Sequence, residues 1–172
     1  MEKINSLTGM TDLIETKADE NVLANKVFQT EKILKEIFTN YAMSEIRTPA
    51  LENTNLFKRS VGDTSDIVNK ELYTFSDKND KSITLRPEGT ASVMRSIIEK
   101  KLDGETHKLW YLGPMWRYER PQKGRYRQFN QAGIEILGYP EGAPEFEMIS
   151  LICELNRKLQ IRKPLIKINH LG

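Results

Sequence analysis

The chain has 172 residues and a formal net charge of +2, with 38% hydrophobic and 29% charged residues, a balance that supports a buried core and excludes intrinsic disorder. Its single cysteine, Cys153, excludes an internal disulfide and a cysteine-rich zinc site, and His107 and His170 are too far apart in sequence to suggest a metal cluster. No apolar run has the length of a secretory signal or a membrane span, so one domain over residues 1–172, in a reduced cytoplasmic setting, is expected.

From Asp19 to Tyr41, Val22, Leu23, Val27, Leu34, Ile37, Phe38 and Tyr41 recur at three- and four-residue spacings, which predicts a long amphipathic helix. Ser44 to Leu51 predicts a strand ending at Pro49, whose missing N–H suits a strand end or an edge. After a short helical piece around Leu56 to Arg59, ELYTF and SITLR predict a hairpin about the polar turn Ser76 to Lys81. Arg86-Pro87-Glu88-Gly89-Thr90 punctuates the chain, and a helix through Val93, Ile97 and Ile98 follows, so Glu88 sits at a strand-to-helix junction.

His107 reads as a loop residue, and Lys108 to Tyr118 and Arg127 to Gly138 predict two more strands. Pro144 opens a helix to about Leu159, with Cys153 as a small core residue, and Leu165 to Asn169 predicts a final strand with an unpaired edge. Helices gathered around antiparallel strands make the fold α+β: an antiparallel sheet flanked by helices, rather than a doubly wound sheet.

The hairpin from Lys108 to Gly138 carries the chemistry. Side chains alternate along a strand, so Tyr111, Met115, Arg117 and Glu119 share one face, while Trp110, Leu112, Trp116 and Tyr118 share the other. The second face is the apolar one, with Trp110 and Trp116 as expected core residues. In the returning strand Arg127, Phe129, Gln131, Gly133 and Glu135 alternate with Ala132, Ile134 and Ile136. If the two odd sets coincide, they form a polar floor with one aromatic platform. Gly133 weakens a strand and suggests that space is kept there for a ligand. Arg120, Lys123 and Arg125 in the connecting loop, with Arg117 and Arg127, place five cations around Glu119, an excess that suggests an anionic guest such as a triphosphate or a nucleic-acid phosphate.

These residues resemble a known family. YLGPMWRYERPQKGRYRQFNQAGIEILG is similar to motif 2 of histidyl-tRNA synthetase, and TLRPEGTA resembles the segment that binds the amino group of histidine there. LTGMTD, the long first helix and SEIRTPALENTNLFKRSVG with Pro49 resemble motif 1, so the likeness covers nearly the whole chain.

The resemblance implies a class II aminoacyl-tRNA synthetase catalytic-domain fold, a homodimer through motif 1, and histidine, ATP with Mg2+, and tRNA(His) as substrates and partners. It implies that Arg117 holds the α-phosphate and the histidine carboxylate, as the catalytic residue. Glu119 accepts from the adenine amino group, Phe129 stacks on adenine, and Arg125 reaches the outer phosphates. Glu88, Gly89, Thr90 and Gln131 receive the histidine amino group, and Glu135 accepts from the imidazole. No protein-bound metal is implied.

Asn130 stands where the family usually shows histidine, on the even face. The chain ends at INHLG, before the family's motif 3, its second histidine-binding segment and its anticodon-binding domain. A truncated catalytic core, inactive alone, is therefore expected. The alternative is a non-catalytic relative, a regulatory subunit or a sensor domain, against which the paired ATP and amino-acid sets argue. RPEGT and QAGIEILG disfavour a class II ligase for another amino acid, and one basic loop is too little for a plain RNA-binding module.

Overall fold

The computed structural model describes residues 3–15, 22–61, 71–120, 122–161 and 165–169. In chain order its elements are α1 (Val22–Asn40), β1 (Ser44–Glu45), β2 (Leu51–Asn53), α2 (Thr54–Val61), β3 (Thr74–Ser76), β4 (Ser82–Leu85), α3 (Thr90–Glu99), β5 (His107–Trp116), β6 (Gln128–Leu137) and α4 (Ala143–Lys158). They fall into two units, Met1–Ile14 with Ser44–Gly138, and Glu15–Met43 with Tyr139–Gly172.

The first unit holds both sheets. β5 and β6 pair antiparallel along their whole length, from His107 opposite Leu137 to Trp116 opposite Gln128. β1 joins β5 in parallel, so this sheet is mixed, with the order β1-β5-β6. The second sheet is antiparallel, with the order β2-β4-β3. Its hairpin forms as expected: Asp77 Oδ1 accepts from the amides of Asn79 and Lys81 at 2.8 and 2.9 Å, the local side-chain bonding that makes Asp a turn residue. Thr84, fully buried, shares its hydroxyl with Thr54 at 2.8 Å and Thr74 at 3.0 Å, so the polar atoms at the centre of this small sheet satisfy one another.

The expected strand from Ser44 to Pro49 stops at Glu45. Ile46 N still donates to Trp110 O, but Arg86 then captures the segment: Arg86 Nη1 donates to Thr48 O at 2.8 Å and Arg86 N to Ala50 O at 2.9 Å. Leu51 then opens β2 in the other sheet. Arg86 Nε also donates to Pro114 O at 3.2 Å, and its backbone carbonyl accepts from Trp116 N at 3.1 Å. One side chain thus ties the two sheets together beside the Pro87 to Thr90 segment.

The core differs from expectation in one respect. Val93 and Ile97 of α3 pack on Tyr111 and Met115, with Ile46, Leu102, Leu109, Phe129 and Leu137 around them. These strand residues are all odd-numbered, so α3 covers the face that also bears Arg117 and Glu135. Trp110 is buried on the opposite face, whereas Trp116 is only half-buried and donates from Nε1 to Gln128 Oε1 at 3.1 Å. His107 opens β5 rather than lying in a loop, with Nε2 2.7 Å from Leu102 O.

In the second unit, Ala24, Leu34, Ile37 and Phe38 of α1 are buried, and α1 and α4 pack together. Lys158 Nζ bonds Glu36 Oε1 at 2.7 Å between them. The start expected for α1 at Asp19 lies outside the described residues. Cys153 is exposed, contrary to expectation. At 100° per residue it stands about 200° from the buried Leu151, on the far side of the helix. Leu165 to Asn169 form no strand, because no partner among the described residues offers a ladder, and Leu165 and Ile168 are exposed.

Candidate functional site

The antiparallel register decides which side chains can act together. Tyr111 stands opposite Gly133, Gly113 opposite Gln131 and Met115 opposite Phe129, and directly opposed residues share a face. Arg117 N donates to Arg127 O at 3.0 Å, extending the pairing one step towards the loop. The two odd sets therefore coincide, which is the condition on which the polar floor depended.

At the α3 end, Glu88 Oε2 and Oε1 accept from the backbone amides of Thr90 and Ala91 at 2.6 and 2.9 Å. The carboxylate thereby satisfies unpaired donors in the first helical turn and sits at the positive end of the helix dipole. Thr90 Oγ1 donates to Glu135 Oε1 at 2.7 Å, which brings together segments 45 residues apart in sequence. Burial pushes the Glu135 carboxyl above its ordinary range, the nearby Glu88 carboxylate adds to that, and the Thr90 hydrogen bond opposes it. Gln131 Oε1 is buried with no hydrogen-bond partner among the described residues, an acceptor whose desolvation is uncompensated there.

At the loop end, Arg117 Nε donates to Pro87 O at 2.9 Å, and its guanidinium carbon lies 5.2 Å from the centre of the Phe129 ring. Arg125 Nη1 reaches Glu119 Oε2 at 3.3 Å, and Arg117 Nη1 lies 4.0 Å from Glu119 Oε1. The predicted residues thus form two groups on one face. Glu88, Gly89, Thr90 and Glu135 gather at the start of α3, with Gln131 further along the same face of β6; Glu119, Arg125 and Phe129 lie towards the loop, and Arg117 reaches Phe129, Glu119 and the carbonyl of Pro87 beside the first group.

Two sequence arguments need correction. The charge of the hairpin is less unrelieved than the count implied, since Glu119 meets two guanidinium groups. Arg127, one of the five cations counted, donates from Nε to Glu119 O at 3.2 Å and lies 4.1 Å from the Tyr118 ring centre. Nor is the space at Gly133 kept for a ligand: a Cβ there would lie 2.2 Å from Tyr111 Cζ, and one at Gly89 would lie 2.3 Å from the same ring. The sequence reasoning missed Tyr111 and Arg86. An aromatic residue opposite a strand glycine was the available signal for the first, since such rings lie over the glycine. Nothing in the sequence marked Arg86, whose partners are almost all backbone carbonyls.

A profile of histidyl-tRNA synthetases matches residues 20–172. The chain belongs to the histidyl-tRNA synthetase family. The histidine–tRNA ligase of Geobacter sulfurreducens is 51% identical over 144 residues, covering 83% of this chain and 35% of that protein. That of Prochlorococcus marinus is 45% identical over 173 residues, covering all of this chain and 39% of its own length. The chain therefore spans little more than a third of the curated relatives it matches.

Among solved structures, apo histidyl-tRNA synthetase of S. aureus superposes with a TM-score of 0.71 at 38% identity, over 91% of this chain and 35% of that one. A Bacillus halodurans structure described as an ATP phosphoribosyltransferase regulatory subunit/histidyl-tRNA synthetase gives 0.74 at 21% identity, over 95% of this chain and 40% of that one. At that identity it supports the fold alone. The mixed α and β architecture is thus that of this family's catalytic domains, of which the chain covers part. Among the described residues no helix is long and apolar enough to cross a membrane.

Proposed function

We propose that this chain supplies the histidine-selecting half of a histidine–tRNA ligase active site, together with part of its ATP site. The buried Gln131 Oε1, without a hydrogen-bond partner among the described residues and on the same face as Glu135, which itself lies near Glu88, carries this reading. An ammonium brings donors to Gln131, Thr90 and Glu88, and an imidazole N–H finds its acceptor in Glu135. A buried acceptor set of this kind rejects apolar amino acids strongly, because they leave it unpaired.

Arg117 lies between the two groups. Its guanidinium draws the histidine carboxylate and the α-phosphate together and neutralises the charge that grows as a carboxylate oxygen attacks phosphorus and pyrophosphate leaves. Phe129 and Glu119 receive the adenine by stacking and by accepting from its amino group, and Arg125 swings from Glu119 to the outer phosphates. Magnesium enters with the triphosphate, held largely by phosphate oxygens and water. Transfer of the histidyl group to the terminal adenosine of tRNA(His) follows. In this reading residues 1–172 belong to one catalytic core, two copies pair through the segment around Pro49, and the reaction takes place in the cytoplasm.

Calorimetric titration with a non-hydrolysable histidyl-adenylate analogue tests the reading, with the leucyl analogue and an Arg117→Ala chain as controls. Binding selective for histidyl and weakened roughly tenfold or more by the substitution is expected, the cost of losing a charge-assisted hydrogen bond. Absence of selective binding rejects the assignment of the histidine site to this chain and favours a regulatory relative, the class to which the Bacillus halodurans description points.

A further inference from the structure

Resting on the role given above to Arg117, we infer that Arg86 is a positioning residue, which fixes the carbonyl of Pro87 and through it the Arg117 guanidinium that meets both substrates.

Arg86 is held through its backbone and its side chain at once. Its amide donates to Ala50 O at 2.9 Å, and its carbonyl accepts from Trp116 N at 3.1 Å. Its Nη1 donates to Thr48 O and Thr48 Oγ1 at 2.8 and 3.0 Å, and its Nε to Pro114 O at 3.2 Å. Nη2 lies over Gly113, 2.9 Å from where a Cβ would stand, so a glycine lets the fork come down on β5. These side-chain acceptors are neutral oxygens, and burial disfavours the charge. A half-buried cation is an unfavourable way to fill space. What an arginine adds is a planar fork that bonds acceptors on two segments at once.

The consequence lies one residue on. Pro87 is fully buried, and its ring locks its own φ and disfavours helical backbone at Arg86. On its other side, Glu88 is tied to the first turn of α3 by the amides of Thr90 and Ala91. With Arg86 fixed, Pro87 O has little room to move, and that oxygen accepts from Arg117 Nε at 2.9 Å. The end of β5 thus bonds residues 86 and 87 in succession, through Pro114 O, Trp116 N and Arg117 Nε. Arg86 acts through Arg117, whose Nη nitrogens are thereby set for the carboxylate and the α-phosphate.

The test reads Arg117 itself, without ligand. Exchange of the Arg117 Nε–H with water is followed by 15N NMR, against that of the Arg127 Nε–H, which bonds Glu119 O at 3.2 Å in the same hairpin. Arg86→Lys keeps the charge and loses the fork. Gly113→Ala keeps Arg86 and pushes its fork away from β5, and it carries the test should Arg86→Lys not fold. In each, the Arg117 Nε–H should exchange at least about tenfold faster, while the Arg127 Nε–H stays within about twofold. No change at Arg117, or equal acceleration at both arginines, overturns the positioning role.

Calorimetric titration with the histidyl-adenylate analogue reads the effect on binding. Arg86→Lys alone should weaken affinity about tenfold, but by less than about twofold when added to Arg117→Ala, where the guanidinium to be positioned is gone. Equal weakening in both backgrounds overturns the route through Arg117. Failure of the unsubstituted chain to bind rejects the histidine reading instead, while the exchange measurement still decides whether Arg86 positions Arg117.

Discussion

Arg117 Nε donates to the carbonyl of Pro87 at 2.9 Å, so the residue assigned to both substrates is anchored on the segment assigned to histidine. The planar guanidinium can hold that carbonyl with one nitrogen and present the others to anions. A lysine has one nitrogen for both tasks. Arg117→Lys is expected to weaken histidyl-adenylate analogue binding at least about tenfold although the charge is kept, which calorimetry would read. Affinity within twofold of the unsubstituted chain would show that charge alone suffices there.

Gly133→Ala places a Cβ about one bond length too close to Tyr111, 2.2 Å from Cζ. Neither strand can move apart without breaking the β5–β6 ladder, so overpacking should cost roughly 1–3 kcal/mol. For a chain of this size the thermal midpoint should fall by about 2–4 °C per kcal/mol. Gly104→Ala, with nothing within 4 Å of its Cβ, serves as the control and should leave the midpoint nearly unchanged. A stable Gly133→Ala protein would contradict the wedge.

Glu135 holds its proton more tightly in the folded chain than its ordinary value of 4.5 implies, chiefly through burial. Between that value and its raised folded value the folded state binds more protons than the unfolded one. Stability contributed here therefore falls as pH rises through that window. Glu135→Gln stays neutral and can still accept from Thr90. In urea unfolding it should gain stability over the unsubstituted chain at neutral pH, and the gain should shrink as pH falls towards 4.5, while histidyl selectivity is lost. A gain that does not depend on pH would assign the effect to packing rather than to charge.

Much of the site was legible in the sequence because β-strand alternation is local. Once Lys108 to Gly138 reads as a hairpin, Arg117 and Glu119 must share a face, and so must Phe129, Gln131 and Glu135; the register then makes the two faces one. Glu88 at the head of α3 was legible for the same reason: Pro87 and Gly89 break the chain there, and a carboxylate two residues before a helix meets its free amides. Helix spacing likewise placed α1, and proline and glycine punctuation placed α3 and α4.

What the sequence determined by itself is thus each element's period, its ends and which side chains share its face, all consequences of backbone geometry over a few residues. Only the tertiary structure decided which face the core takes. α3 covers the odd face of β5 and β6, so Tyr111 and Met115 are core residues beside Arg117 and Glu135, and Trp116 is not. Tertiary structure also joined Thr90 to Glu135, spent Arg86 on Thr48 and Pro114, and filled the gap at Gly133 with a tyrosine ring. These are contacts between segments far apart in the chain. Their geometry depends on how elements pack in three dimensions, which no local periodicity encodes.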